Sequence, residues 1–208
     1  NLTAVNDAPS VTAPSSFTLT EDVAGNLTYT GTPFADVDSA TLTVTLSVSD
    51  GTITGNEGTG ITVAGSATAR TFAGTVAALN TYFTTAGKIT YLGLLNNTTS
   101  RTLTTAVSDG AQSASTTSTI NFTAVDDVPT LAAIAVSGTE DTTLTFTAAN
   151  FTGAYTDAES TALVSITVVT LPATGVLKLS GTNVTAGQVI PLASLQYLTY
   201  VPVANENG

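Results

Sequence analysis

Apolar and polar residues alternate along several short stretches of the chain. The alternation is clearest in Phe17–Thr20, Leu42–Val48 and Leu103–Val107, which are rich in Thr and Val. A period of two is the pattern of a strand with one buried face. Gly, Asn and Asp separate these stretches, for example in Asp50-Gly51 and Asp109-Gly110, where they favour tight turns. The pattern therefore predicts an all-β fold made of many short strands.

One segment departs from this period. Residues Thr75–Phe83 carry apolar side chains at positions 76, 79, 82 and 83, which is the spacing of one face of a helix. A trace of the same pattern returns in Leu192–Leu195. We expect a short helix in the first segment and a remnant of it in the second.

The chain contains an internal repeat, which is the strongest sign of its organisation. Three motifs recur about 120 residues apart: Thr3–Pro9 with Thr123–Pro129, Thr20–Asp22 with Thr139–Asp141, and Asp36–Ser39 with Asp157–Ser160. The repeat predicts one domain at 6–125 and a second at 126–208, the latter truncated before its last strands, with residues 1–5 as the end of a preceding repeat. We expect tandem seven-strand Greek-key β-sandwiches of immunoglobulin-like type, cut from a longer array.

Composition removes several functions. The 208 residues include 15 acidic and four basic side chains, with no His and no Cys, and the net charge is −11. A Ser-His-Asp triad, a Cys nucleophile and a Cys/His zinc site are impossible. A Ser-x-x-Lys nucleophile is also missing, because neither Lys has a Ser three residues before it. The acidic residues recur at the ends of the domains, whereas a glycosidase uses one pair of carboxyl groups that flank a cleft. We expect no enzymatic activity, no binding to nucleic acid, and no membrane insertion.

The acidic residues are concentrated in the repeated motifs. All acids except Glu57 and Glu206 lie either there or in Asp-Gly turns. Crowded carboxylates repel each other, and Ca²⁺ would offset the repulsion because it takes six to eight oxygen ligands. The motif that begins at Asp36 is not an EF-hand loop, since Thr41 stands at the sixth position, where that loop requires Gly.

Strand direction predicts which acids meet. If successive strands run in opposite directions, the N-terminal pole of the first domain gathers Asn6 and four acids, and the other pole brings Glu21 to the linker that enters the second domain. The predicted metal ligands are Asp7, Glu21, Asp36, Asp38, Asp109, Asp126, Asp127, Asp157 and Glu159. The simpler alternative is that these residues only form turns. For Asp109 the turn and the ligand interpretations are equally good. For Asp50, which is not among the predicted ligands, the turn is the favoured interpretation.

These motifs resemble the tandem cadherin-like repeats of large bacterial surface adhesins. The resemblance rests on the linkers Asn6–Pro9 and Asp126–Pro129, on Glu21, on Asp36-Val37-Asp38, and on the run from Phe72 to Leu92 followed by Val107–Gly110. It implies an extracellular, calcium-rigidified spacer that supports cell adhesion, with neighbouring repeats as partners. The Asp-Arg-Glu element of cadherins is missing; Asn96, Asn97, Ser100 and Arg101 stand near its place, so the number of ions per junction stays open.

Two other functions remain open. The chain could be a ligand-binding module for polysaccharide, although its scattered aromatic residues fit a sandwich core better than a sugar-stacking surface. It could also be a self-assembling filament or sheath subunit, in which an open sheet edge of the second repeat pairs with a strand of another copy, such as residues 1–5. The plainer explanation of that open edge is that the sequence simply stops there.

Overall fold

The computed structural model describes residues 5–205 and contains two compact units, Asn1–Val125 and Asp126–Gly208. The boundary falls at the same peptide bond as the boundary between the predicted repeats. Strands make up most of the regular secondary structure in both units, so the all-β prediction is confirmed. Within residues 5–205 no helix is both long and apolar enough to cross a membrane. The strand predicted for residues 1–5 lies outside the described residues, apart from Val5.

Unit 1 contains eleven strands and one helix in its described part. They are β1 Ser10–Val11, β2 Ser16–Thr20, β3 Gly25–Asn26, β4 Phe34–Ala35, β5 Thr41–Ser47, β6 Thr52–Gly55, β7 Ile61–Gly65, β8 Ala69–Thr75, α1 Val76–Thr84, β9 Ile89–Leu92, β10 Arg101–Ser108 and β11 Ser113–Thr123. The three stretches predicted from alternation are confirmed as β2, β5 and β10, each extended or shifted by one or two residues. The count exceeds the predicted seven, and three of the strands, β1, β3 and β4, are only two residues long.

Two sheets enclose the core of unit 1. The larger sheet has the order β2-β11-β10-β5-β8-β7, and the smaller has the order β3-β9-β6. In the larger sheet, β2 runs parallel to β11, with Phe17 opposite Ile120, whereas the other pairs are antiparallel. A separate pair, β1 with β4, brings the first residues of the domain beside Ala35. This pairing sets the position of the acids that follow β4.

Alternate residues of these strands form one hydrophobic core. The core includes Val44, Phe72 and Leu103 from the larger sheet and Ile53 and Tyr91 from the smaller sheet. Burial of such side chains contributes roughly 1.5–3 kcal/mol each. The aromatic residues predicted to be core are buried, except for the half-buried Phe122; they are Phe17, Tyr29, Phe34, Phe72, Tyr82, Phe83, Tyr91 and Phe122.

Helix α1 is confirmed where its spacing predicted it. Thr75 caps it by accepting the Ala78 N–H at its Oγ1, 3.2 Å away, as expected of a threonine at this position. The Asn80 side chain then binds both the N–H and the carbonyl of Phe34, each at 2.9 Å. The helix is thereby fixed to β4, and Phe83 packs edge-on against Phe34 with ring centroids 4.8 Å apart.

Unit 2 repeats this arrangement with shorter elements. They are β12 Thr130–Leu131, β13 Leu144–Thr145, α2 Ala148–Thr152, β14 Tyr155–Thr156, β15 Ser165–Thr167, β16 Val176–Leu179, β17 Thr182–Asn183, β18 Val189–Pro191, a 3₁₀ helix Leu192–Tyr197 and β19 Leu198–Val201. The 3₁₀ helix confirms the helical remnant that the sequence predicted. Helix α2 has no counterpart in unit 1 and was not predicted.

A tyrosine and a glycine occupy the same places in both units. The Tyr91 hydroxyl donates to the Asp50 carbonyl, and the Tyr200 hydroxyl donates to the Thr174 carbonyl, each at 3.1 Å. The glycines that follow, Gly51 and Gly175, have φ of 73° and 67°. A Cβ at either glycine would lie 2.6 or 2.5 Å from the tyrosine hydroxyl oxygen, so only glycine fits. Thr174 of unit 2 is thus the counterpart of Asp50.

Asp50 itself pairs with a buried cation. The Arg101 Nε donates to both carboxylate oxygens of Asp50 at 2.7 and 2.8 Å, and the side chains of Arg101 and Asp50 are 8% and 32% exposed. The Arg101 Nη1 also donates to the Thr99 carbonyl. The favoured interpretation of Asp50 as a turn residue omitted this ion pair, which joins the start of β10 to the turn before β6.

We expect Asp50→Ala to destabilise unit 1, because it leaves the Arg101 guanidinium buried without a carboxylate. The free energy of unfolding should fall by about 2 kcal/mol, below the 3–5 kcal/mol of a fully buried pair because Asp50 is partly exposed. Hydrogen exchange of the β10 amides under native conditions measures this change for unit 1 alone. The exposed Glu57→Ala variant is the control, and an equally small effect of both substitutions would contradict the prediction.

Candidate functional site

The first acidic group of unit 1 connects the linker to the turn after β4. The Asp7 N–H donates to Asp38 Oδ2 at 2.8 Å. Asp36 Oδ1 accepts the N–H groups of Asp38 and Ser39 at 2.9 and 2.6 Å. These amides define the turn and fix the positions of both carboxylates. The structure therefore brings together three of the predicted ligands, Asp7, Asp36 and Asp38, through backbone hydrogen bonds.

The second oxygen of Asp36 is the least satisfied polar atom of this group. Asp36 Oδ2 is buried and accepts no hydrogen bond from any of residues 5–205. A carboxylate oxygen in this condition costs free energy unless a donor or a cation compensates it. Asp36 Oδ2 is therefore available to a hard cation, which is the kind of ion that carboxylate oxygens bind best.

Asp109 holds the other side of the linker. Its Oδ2 accepts the Asn6 side-chain amide at 2.8 Å, and its Oδ1 accepts the N–H groups of Ala111 and Gln112, each at 2.7 Å. Hydrogen bonds from the Gln112 backbone, the Asn6 side chain and the Ala111 backbone lower the pKa of Asp109, because they stabilise the carboxylate. Gln112 also donates from its side chain to the Asn6 carbonyl. Asp109 thus takes part both in the turn and in a contact with the linker.

The acids of unit 1 do not converge on one point in this structure. Among the described residues of unit 1, no three carboxylates place oxygen atoms within 4.8 Å of one another. The residues at the N-terminal pole instead form two neighbouring groups, one around Asp7 and one around Asn6. A bound ion would need oxygen ligands from backbone carbonyls, the Asn6 side chain or water as well as from the acids.

Unit 2 repeats the linker contact with a longer acid. The Asp127 N–H donates to Glu159 Oε2 at 3.0 Å, which matches the contact of Asp7 with Asp38. Asp157 Oδ1 accepts the Thr161 N–H at 2.7 Å. One carboxylate oxygen of Asp127 and one of Glu159 lie within 4.8 Å of each other. This pair could hold a metal ion.

Tyr155 lies beside the acids of unit 2. Burial, then the charge of Asp157, its hydrogen bond with the Tyr155 hydroxyl at 3.4 Å, and the charge of Asp126 raise the pKa of Tyr155. Negative charges raise this pKa because they oppose formation of the tyrosinate anion. Asp126 and Asp157, both predicted ligands, therefore both raise the pKa of Tyr155, and this pKa reports their charge.

Glu21 and Asp22 have different roles. Glu21 is only 2% exposed, and its Oε1 accepts the Val125 N–H at 3.0 Å, one residue before Asp126. Asp22 has a φ of 61° and accepts the Asn96 N–H at 2.7 Å. Its counterpart Asp141 accepts the Asn205 N–H at 2.9 Å. The sequence indicated Glu21 as the ligand of the pair but did not reveal the contact of Asp22 with Asn96.

The chain matches no family model and no curated protein. One similar solved structure is an endo-fucoidan hydrolase from glycoside hydrolase family 107, with 15% sequence identity and a TM-score of 0.34. The match covers 97% of this chain and 25% of the hydrolase chain.

We expect Asp157→Asn to lower the pKa of Tyr155 towards its ordinary value, because the substitution removes the nearest negative charge and leaves a neutral amide. The pKa is measured from the ring carbon chemical shift of Tyr155 during an NMR titration. Asp126→Asn should produce a smaller decrease, and Glu57→Gln should produce none. An unchanged pKa in Asp157→Asn would contradict the prediction and would show that the charge of Asp157 does not raise the pKa of Tyr155.

Proposed function

We propose that the chain is a calcium-rigidified spacer of an extracellular bacterial adhesin, built from tandem cadherin-like β-sandwich repeats, and that it is not an enzyme. The observation that carries the proposal is the linker contact found in both units, Asp7 with Asp38 and Asp127 with Glu159. The acid differs in length between the units, yet it binds the same backbone group. The repetition of this contact in both units supports a role beyond turn formation.

The chemistry of these groups favours Ca²⁺. Each linker places carboxylates beside one another. Among the described residues, the ion pair is that of Arg101 with Asp50, so no basic side chain pairs with the linker acids. Backbone amides neutralise part of the charge and orient the acids, so the remaining oxygens face an ion at little cost in side-chain entropy. Ca²⁺ accepts the irregular, oxygen-only ligand set that these residues offer.

The role as a spacer follows from where the ligands lie along the chain. Glu21 binds the Val125 N–H at the end of the first unit, and Glu159 binds the Asp127 N–H at the beginning of the second. Only Asp126 separates these two anchored residues. Ca²⁺ bound by the linker acids would restrict rotation about the few free bonds that remain and would make the array stiff. Loss of the ion would restore the movement and the carboxylate repulsion.

Calcium binding is tested by calorimetric titration of the full chain. We expect dissociation constants on the order of 10⁻⁴ to 10⁻³ M, as in extracellular modules. Asp38→Asn and Glu159→Gln should each weaken binding about tenfold in their own repeat, because each keeps the shape of the side chain but removes a charged ligand. Glu57→Gln is the matched control, and equal binding by all three variants would contradict the assignment.

Stiffening is tested by small-angle X-ray scattering with millimolar Ca²⁺ and then with chelator, at constant ionic strength so that general charge screening stays fixed. We expect an extended, rigid profile with Ca²⁺ and a flexible one after chelation, while the circular dichroism of the strands is retained. An unchanged profile would remove calcium from the mechanism. Unfolding of unit 1 by the chelator would show that the ion supports the domain and not the linker.

A further inference from the structure

Among the described residues, the outer face of the large sheet of unit 1 carries no charged side chain. This face consists of the residues of β2, β5, β7, β8, β10 and β11 that alternate with the core residues, and all of them are Thr, Ser, Ala or Asn. We call it the hydroxyl face. Arg70 and Arg101 also belong to these strands, but they point to the other side, where they donate to the Ile53 carbonyl and to Asp50.

Strand register places the residues of the hydroxyl face in rows across the sheet. In one row each residue lies opposite the next, and its members are Ser115, Ala106, Thr45, Thr71 and Ala64. Neighbouring strands are about 4.8 Å apart, and residues on the same face of one strand are about 6.8 Å apart. The hydroxyl face is therefore a regular array of hydroxyl and methyl groups.

The charge of the chain favours this face for contact between two copies. The net charge is −11, so two copies repel each other wherever their acidic residues approach. The acidic residues of unit 1 lie in turns and loops outside the strands of the large sheet. Asp109 directly follows β10, but its carboxylate binds Asn6 and the amides of its own turn. Two hydroxyl faces can thus meet without bringing carboxylates together.

The chemistry of the face is complementary to itself. A symmetric dimer uses the same patch on both copies, so that patch must fit its own image. A Thr or Ser hydroxyl is both a donor and an acceptor, and a hydroxyl of one copy can therefore pair with a hydroxyl of the other. Thr is stiff at χ1 and Ala has no rotamers to lose, so ordering these side chains costs little entropy.

The area of the hydroxyl face is large enough for a weak dimer. Six strands of five to eleven residues form this sheet. With strands about 4.8 Å apart and a rise of about 3.3 Å per residue, the face covers roughly 600 Å². Two copies would bury about 1,200 Å² in total, which is the lower limit of standard interfaces.

We propose that the hydroxyl face of unit 1 binds the hydroxyl face of a second copy of this chain. The contact requires neither a calcium ion nor a free strand edge, so it is independent of the proposed function. Because the described residues of the face include no charged or aromatic side chain, a different protein would lack the anchors that specific interfaces use. A second copy needs no such anchors, since its hydroxyl groups match those of the first.

Self-association is tested by sedimentation equilibrium of the full chain in chelator, so that calcium cannot bridge two copies. Concentrations from about 10 μM to 1 mM cover the affinities of weak interfaces of this size. We expect a monomer–dimer equilibrium that added salt strengthens, because screening reduces the repulsion between acidic copies. A monomer at every concentration would overturn the proposal, as would association that salt weakens, since that result indicates pairing of opposite charges.

Three lysine variants locate the contact. Thr45→Lys and Thr117→Lys place an ammonium group on the hydroxyl face, and Thr54→Lys places the same group on β6 of the smaller sheet. The first two should weaken dimerisation at least tenfold, because the ammonium group loses its water without gaining a partner. Thr54→Lys should not weaken it, because this variant lowers the net negative charge by the same amount.

These variants also control for folding and for general charge effects. Thr117 is exposed, so Thr117→Lys should fold even if Thr45→Lys does not, and circular dichroism checks both. Equal dimerisation of Thr117→Lys and Thr54→Lys would overturn the proposal.

The interface is observed directly from the methyl groups of threonine by NMR with a soluble paramagnetic probe. At high protein concentration the methyl groups of Thr45 and Thr117 should become protected from the probe, whereas that of Thr54 should stay accessible. Unchanged accessibility of Thr45 and Thr117 in a dimeric sample would place the contact elsewhere and would overturn the proposal.

Discussion

Backbone amides control where the acidic side chains of this protein lie. The chain carries a net charge of −11, and carboxylates placed side by side without basic partners destabilise a fold. The N–H groups of Asp7, Asp38 and Ser39 offset part of that cost in unit 1, and Asp127 and Thr161 do so in unit 2. The turn geometry, the position of the linker and the proposed affinity for Ca²⁺ all depend on these contacts.

The sequence predicted those features that arise from periodic burial. Strands β2, β5 and β10 and helix α1 could be recognised because one face of each packs into a hydrophobic core, which imposes a period on the residues. The strands of two residues could not, since a period needs several residues to appear. The repeat also identified the acids that the structure brings to the linkers, because a motif that recurs must satisfy the same local geometry twice.

The features that the sequence did not predict depend on single contacts between distant residues. Asp50 and Arg101 are 51 residues apart, and nothing in the pattern near Asp50 distinguishes an ion pair from a tight turn. Asp22 and Asn96 are 74 residues apart, and Asp22 makes this contact with a positive φ of 61°. Such pairs depend on how the strands are registered against one another, which residue periodicity does not determine.

The helical connection that precedes the strand of Tyr91 in unit 1 and of Tyr200 in unit 2 differs in length between the units. Helix α1 has nine residues and the 3₁₀ helix of unit 2 has six, yet the tyrosine hydroxyl makes the same hydrogen bond after both. The strands on either side therefore keep their register when this connection gains or loses a helical turn. This segment is a natural insertion point, where a foreign peptide or a reporter could be displayed on each repeat while the sheets that carry the linkers stay intact.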